Sequence, residues 1–200
     1  MILLKNLKKS YKNNILFQNV NLEFRSNKIS FVLGKNGVGK TSLIKCLFGL
    51  EDYEGNIMFD EKNIDQVREK CWVIWDDTPF YTEISGLKNL YIFSCGKKTK
   101  SEIYEIASRY LDNDVLKRPV SQYSYGQRKK LSLVLVEILS PKYLVMDEIS
   151  NGLDYETICF LKKKIKDWSE NMDIILTGHQ FDFYNDLIDD LYVFEGNNIR

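Results

Sequence analysis

The sequence predicts an α/β fold: an N-terminal antiparallel β-rich segment, a strand–helix core, and a mostly helical insertion at about 76–142 that interrupts the core. Three observations carry this prediction. An apolar run, Ile29 to Leu33, leads through a glycine-rich loop into an amphipathic helix. The middle of the chain then loses strand patterning and takes on helical periodicity. From Tyr143 onward, buried-type strands alternate with a helix once more. The 200 residues suit one domain, 1–200, with core and β segment at about 1–75 and 143–200. A chain of this size buries roughly 70% of its extended surface, so it needs neither disulfide nor metal to fold.

Each element has its own local reason. Ile2-Leu3-Leu4, Asn19 to Phe24 and Ile29 to Leu33 are β-rich runs, parted by polar turns at Lys12-Asn13-Asn14 and Ser26-Asn27-Lys28. After the glycine loop, Leu43, Ile44, Leu47 and Phe48 recur at helical spacing, and the helix ends near Gly49. Asn56 to Phe59 and Cys71 to Trp75 read as strands, and Ser85 to Phe93 as a helix. Thr99-Lys100-Ser101-Glu102 is a capping box that opens another helix through Ile103, Ile106, Ala107 and Tyr110. The clearest helix is Gly126 to Leu139: Leu131, Val134, Leu135, Ile138 and Leu139 share one face, and Pro141 stops it. Tyr143 to Met146, Ile174 to Thr177 and Leu191 to Phe194 read as strands. Glu156 to Trp168 reads as a helix whose Lys162, Lys163, Lys164 and Lys166 form a solvated face.

Composition narrows the function classes. Lys plus Arg and Asp plus Glu both number 28, so the formal net charge is zero. That balance argues against a protein whose main task is to grip nucleic acid through an overall positive field, and no nucleic-acid partner is expected. Cys46, Cys71, Cys95 and Cys159 form no C-x-x-C pair and read as reduced and mostly buried small hydrophobic residues. No basic-then-apolar signal opens the chain, and its most apolar stretch, Leu131 to Leu139, is far shorter than the ~20 residues of a membrane span. The expectation is a cytoplasmic protein. Any work at a membrane then requires a partner that supplies the span.

Two motifs carry the chemistry. Gly34-Lys35-Asn36-Gly37-Val38-Gly39-Lys40-Thr41 fits G-x-x-x-x-G-K-[ST] at every fixed position, between a strand and a helix. A polyphosphate needs several backbone N–H groups turned inward, and glycine lets the chain curl tightly enough to present them. The helix N-terminus adds partial positive charge. Gly34 to Thr41, with Ser42 next to them, are therefore the expected phosphate-binding residues. Lys40 is expected to reach the β- and γ-phosphates, and the Thr41 hydroxyl to ligate Mg²⁺. This makes a P-loop NTPase core the predicted fold, binding a nucleoside polyphosphate with Mg²⁺. The second motif is the strand Tyr143 to Met146, which ends in Asp147 and Glu148. At this place the first acid holds Mg²⁺ through its water shell and the second accepts a proton from the attacking water.

With these motifs in order, the chain resembles the ATPase subunits of ABC transporters. Tyr123-Ser124-Tyr125-Gly126-Gln127-Arg128 resembles the family's L-S-G-G-Q signature, and Asn151-Gly152-Leu153-Asp154 its D-loop. His179 sits where the family has a switch histidine, and Tyr11 where it has an aromatic that stacks on adenine. The resemblance implies that the nucleotide is ATP, and that Ser124, Gly126, Gln127 and Asp154 serve a nucleotide shared with a second ATPase subunit, identical or homologous, in a two-fold dimer. It also implies an integral membrane permease as partner, with the ATPase peripheral on the inner face of the membrane. Phe80, Tyr81, Tyr91 and Phe93 lie where the helical lobe would receive the permease, and burial is expected to claim about half of these four.

The chain also departs from the family pattern. Tyr125 replaces the first glycine of the signature pair, and Ile149 a proline after the catalytic glutamate. Asp76 or Asp77 stands in the glutamine loop; the strand Cys71 to Trp75 favours Asp76, as a catalytic and metal-contacting acid. The acid in place of the loop glutamine, the Ser124-Tyr125-Gly126-Gln127-Arg128 signature and the Asn151-Gly152-Leu153-Asp154 D-loop resemble the drug- and antibiotic-export branch more than the nutrient-import branch. The runner-up readings are a soluble ATPase acting on nucleic acid, ribosomes or cofactor assembly, and a nucleotide-binding regulator with little turnover.

Overall fold

A computed structural model describes residues 1–12, 14–179 and 181–200; Asn13 of the predicted turn Lys12-Asn13-Asn14 lies outside the described residues. Two sheets organise the chain. The first is antiparallel, with β1 (Ile2–Tyr11) between β2 (Asn14–Phe24) and β4 (Glu54–Phe59). The second runs β5 (Cys71–Ile74), β6 (Tyr143–Asp147), β7 (Asp173–Gly178), β3 (Ile29–Leu33), β8 (Asp190–Glu195), β9 (Asn198–Ile199). Its first five strands are parallel, and β9 closes the edge as an antiparallel hairpin partner of β8.

Strand periodicity explains how the core is split. On the parallel sheet Val32, Val145 and Ile175 face one side, where they join Leu43, Ile44 and Leu47 of α1 (Lys40–Leu47). The same cluster takes in Ile2, Leu4 and Phe24 from the antiparallel sheet, so α1 is sandwiched between the two sheets. The alternate residues Phe31, Leu144, Met146, Ile174 and Leu176 face the other side. There they meet Leu131, Val134, Leu135 and Ile138 of α6 (Tyr125–Leu139) and Leu161 and Ile165 of α7 (Tyr155–Ser169). A strand buried on both faces reads as an unbroken apolar run, as Tyr143 to Met146 does.

Between β5 and β6 the chain forms α3 (Gly86–Phe93), α4 (Lys100–Ala107), α5 (Asn113–Lys117) and α6. Ser85, Thr99 and Ser124 cap α3, α4 and α6, each accepting from the backbone N–H three residues on. The predicted α/β class, with its antiparallel β part and helical insertion, is the fold observed. Several local readings change. Of the four cysteines expected to be mostly buried, only Cys46 is; Cys71 is half-buried, and Cys95 and Cys159 are exposed. β1 and β2 are far longer than Ile2-Leu3-Leu4 and Asn19 to Phe24, because irregularities at Asn6 (φ 51°) and Asn19 (φ 54°) break the period-two signal, and Lys5 and Lys8 face outward. α4 ends at Ala107, so Tyr110 is buried from the turn beyond it. α5, β9 and α2 (Ile64–Val67) are too short to show a periodicity at all.

One acid ties the parallel sheet together at its far end. Asp189 Oδ2 accepts from the Ile29 N–H at 2.8 Å, and Oδ1 from Lys28 Nζ at 2.8 Å. Burial pushes this carboxyl up, but the two bonds and the Lys28 charge outweigh it and hold the pKa below the ordinary 3.8. Such a group contributes its full stability above the unfolded-state value and loses it as the pH falls through the folded-state value. Asp189→Asn is therefore expected to lower stability at neutral pH and to flatten the decline below pH 3.8. Urea unfolding at stepped pH measures both; parallel curves for the two proteins would count against this role.

Candidate active site

Register brings the motifs to one place. Leu33 pairs with Gly178 and Asp147 with Thr177, so the carboxyl ends of β3, β6 and β7 lie side by side. The Gly34 N–H donates to the Gly178 carbonyl at 3.0 Å, which fixes where the glycine loop leaves the sheet. In an open parallel sheet, ligands bind beyond these carboxyl ends.

The loop itself has the shape that the motif requires. Gly37 (φ +78°) and Gly39 (φ +119°) are in the left-handed region. A Cβ at Gly34 would stand 2.7 Å from Val38 Cγ1. Gly39 is the N-cap of α1 and offers no side chain to the first amides of the helix. Those amides open onto a cleft lined by Tyr11, Leu16, Gly37, Gly39, Lys40, Thr41, Ser42 and Glu148. An uncapped helix start in a cleft of this kind fits a phosphate chain. Lys35 and Asn36 are exposed on the rim.

Lys40 is buried, and its ammonium is 2.8 Å from the Gly34 carbonyl, 3.1 Å from that of Lys35 and 2.9 Å from Glu148 Oε1. The second Glu148 oxygen accepts from Asn151 Nδ2 at 2.6 Å and lies 3.5 Å from His179 Nδ1. Burial pushes the Glu148 pKa up, but the bonds from Lys40 and Asn151 prevail, so the carboxyl sits below its ordinary value. Glu148 holds φ at 47°, a conformation that costs a non-glycine residue roughly 1–3 kcal/mol and that recurs at functional sites.

Asp147 is nearly fully buried, and both its oxygens are committed: Oδ2 to Thr41 Oγ1 at 2.8 Å, Oδ1 to Thr177 Oγ1 at 2.5 Å. Thr177 escaped the sequence reading as a site residue. Its signal is positional, since the register places it opposite Asp147. Among the described residues no cluster of three His, Cys, Asp or Glu side chains could hold a metal by itself. One hydroxyl and one carboxylate fit Mg²⁺, which takes one or two protein ligands and completes its shell with phosphate and water.

The sequence of this site is matched over residues 17–151, more than half of the chain, by the family described as ABC transporter. The chain belongs to the ABC transporter family. It is an ATP-binding subunit of that family, an ATPase coupled to transport. The lantibiotic transport ATP-binding protein SrtF of Streptococcus pyogenes is 31% identical over 204 residues, covering 100% of this chain and 89% of the relative. The L-cystine import ATP-binding protein TcyC of Bacillus subtilis (strain 168) is 25% identical over 218 residues, covering 100% and 88%. A solved ATP binding subunit of an ABC transporter superposes with a TM-score of 0.88 at 19% identity, covering 100% of this chain and 88% of that one. CbiO1 of Clostridium perfringens, part of the cbiONQ complex, gives a TM-score of 0.82 at 22% identity, covering 100% and 86%. At these identities the two structures speak for the fold.

Within this ABC ATPase the remaining predicted residues fall into two groups. Tyr11 joins the cleft: its hydroxyl lies 3.2 Å from Ser42 Oγ and donates to Glu51, and Lys9 Nζ stands 4.5 Å from its ring centroid. The Tyr11 bond leads the interactions that hold Glu51 down at about 2. Ser124, Gly126, Gln127 and Asp154 stay outside the cleft, at helix starts. Ser124 and Gln127 form a capping box on α6, and Asp154 Oδ1 accepts from the Thr157 N–H at 2.8 Å at the start of α7. A Cβ at Gly126 would meet nothing within 4 Å, so this helix end presents open space outward.

Asp76 lies with α6 rather than in the cleft. Its Oδ1 accepts from Tyr125 Oη at 2.7 Å and pairs with Lys129 Nζ at 3.0 Å. Lys129 carried no signal in the sequence, being one basic residue in a basic stretch. Ile149, in the place of the proline, is buried in the core. Of the four aromatics, Phe80 is buried and Phe93 half-buried, with ring centroids 5.8 Å apart, and Phe93 also packs edge-on against Trp72 of β5. Tyr81 and Tyr91 are exposed.

Proposed function

We propose that this chain powers a membrane exporter by closing, with ATP, onto a second ATPase subunit. The observation that carries the reading is the convergence of Lys40, Thr41, Asp147 and Glu148 on one cleft that a phosphate chain fits. Lys40 holds Glu148 where a nucleotide's terminal phosphate would be met. A bound phosphate would take the ammonium over and leave Glu148, aimed by Asn151 and His179, free to accept a proton from water. Thr41 and Asp147 would hold Mg²⁺, which neutralises charge on the phosphates when bound. Asp76 would join that shell only by giving up Tyr125 and Lys129. Tyr11 would stack on the base.

The outward-facing start of α6 suits an anion clamp on a nucleotide of the facing subunit, with Ser124, Gly126 and Gln127 at its tip and Asp154 nearby. This supports the sandwich dimer. Among the described residues no helix is long and apolar enough to cross a membrane, so the span falls to a permease. An open apolar groove lined by Leu50, Trp72, Trp75, Pro79 and Phe93 suits its docking. In this reading residues 1–200 are one ATPase domain with its insertion at 76–142, peripheral on the inner face of the membrane. Export is supported by the relative named for lantibiotic transport and by the Asp76 and Tyr125 departures, although a relative named for import spans the chain as well.

Affinity purification of the tagged chain in detergent tests this. A polytopic membrane protein is expected to co-purify and to stimulate phosphate release, and vesicles holding both are expected to move cargo away from the nucleotide side. Turnover stimulated instead by RNA or ribosomes, with no membrane protein retained, would sink the exporter reading.

A further inference from the structure

Two positions that set this chain apart, Asp76 and Tyr125, meet at one spot with a buried lysine, Lys129. The Tyr125 hydroxyl donates to Asp76 Oδ1 at 2.7 Å. Lys129, 3% exposed, pairs with the same oxygen at 3.0 Å, and its ammonium stands 5.2 Å from the centroid of the Tyr125 ring. The ring lies against Gly152, where a Cβ would stand 3.0 Å from Tyr125 Cε1 and 3.2 Å from Cδ1. Gly152 is in the left-handed region (φ +65°) and follows Asn151, whose amide donates to Glu148 Oε2 at 2.6 Å. A continuous path therefore runs from Asp76 through Tyr125 and Gly152 to Asn151 and Glu148. Burial, and then the bond to Asp76, push the Tyr125 phenol up, so it stays a donor at neutral pH.

We propose that Tyr125 is a positioning residue for Glu148: anchored by Asp76 and Lys129, its ring sets the place of Gly152 and so aims the Asn151 amide at the Glu148 carboxylate. The proposal rests on the reading of Glu148 as the group that accepts a proton from water. A glycine at 125 has no side chain with which to do this, so the glutamate-bearing loop gains a support from α6. The anchor needs an acid at 76 as well as the cation at 129, because Lys129 is 3% exposed and without its carboxylate partner would leave a buried charge uncompensated. The arrangement also requires glycine at 152, since any side chain there meets the ring.

The test is steady-state phosphate release by the full chain, with nucleotide affinity measured separately. Tyr125→Gly is expected to lower kcat by about tenfold with KM and Kd for ATP unchanged, the pattern of a displaced reacting group. Tyr125→Phe keeps the ring and the packing, so it folds if the glycine variant does not, and it is expected to lose about threefold through the missing anchor. Combining Tyr125→Gly with Asn151→Ala should fall no lower than the worse single variant, because both act through one bond. An unchanged kcat in both Tyr125 variants, a matching rise in KM, or multiplicative losses in the double variant would each overturn the proposal. Glu148→Gln separates the two ideas. If it turns over normally, the reading of Glu148 fails; if it is inactive while Tyr125→Gly is normal, only the positioning role fails.

Discussion

Glu148→Gln is expected to reduce ATP turnover by about 10²–10⁴-fold while ATP stays bound. The exchange is isosteric and removes the only feature of this side chain that water activation needs, a negative oxygen that can take a proton. Glutamine can still accept from Asn151 through its oxygen, with its amide nitrogen in the Oε1 place beside Lys40, so the loop that carries φ 47° keeps its Asn151 bond. Lys40 loses its carboxylate partner at 2.9 Å and is left freer to meet phosphate, so nucleotide affinity is expected to hold or rise. In a sandwich dimer that cannot hydrolyse, ATP is trapped between the subunits. Sedimentation with ATP should then show a dimer for Glu148→Gln that the wild-type chain populates only transiently. Phosphate release at the wild-type rate would remove Glu148 from the mechanism.

Lys40→Ala acts on the other partner of the same pair, and the expected result is different. The ammonium is 4% exposed and bonded to two loop carbonyls as well as to Glu148. Its loss removes a charge-assisted contact to the phosphates, worth about 1.5–3 kcal/mol, and the bonds that close the loop on itself. ATP affinity is expected to fall by about 10- to 10²-fold in a fluorescent-nucleotide titration. Burial then acts on Glu148 with less opposition, so its pKa moves up from the lowered position that Lys40 helps to maintain. Residual turnover needs the ionised form, so its acid limb is expected to shift to higher pH in Lys40→Ala. A limb at the wild-type position would show that Lys40 does not tune Glu148. The two substitutions divide the pair: one keeps binding and loses chemistry, the other loses binding first.

Much of this site is legible in the chain because its chemistry imposes spacing. A loop that turns its amides inward on a phosphate must place glycines at fixed intervals before Lys40 and Thr41, and the structure puts Gly37 and Gly39 at the positive φ that those intervals imply. A strand buried on both faces must be apolar until it leaves the sheet, so Asp147 and Glu148 announce where β6 ends. The family resemblance added the signature and His179, which spacing alone does not single out. Strand pairing was less legible. β1 and β2 keep one face in solvent and are irregular in register, so only Ile2-Leu3-Leu4 and Asn19 to Phe24 read as strand, and Asn14, where β2 opens, reads as turn.

By itself, then, the sequence determined the fold class, the phosphate loop, the acid pair and the family, because each rests on residues close together along the chain. Only the tertiary structure decided which distant side chains meet: Thr177 on Asp147, Asn151 on Glu148, and Asp76 with Tyr125 and Lys129. Tyr125 shows the difference most clearly. In sequence it is a substitution in a glycine pair, able to crowd a clamp or to point away. In the fold its ring rests on Gly152 and its hydroxyl on a loop 49 residues distant. The physical reason is that strand order and helix packing, which set those distances, are properties of the whole core and leave no mark on any local run of residues.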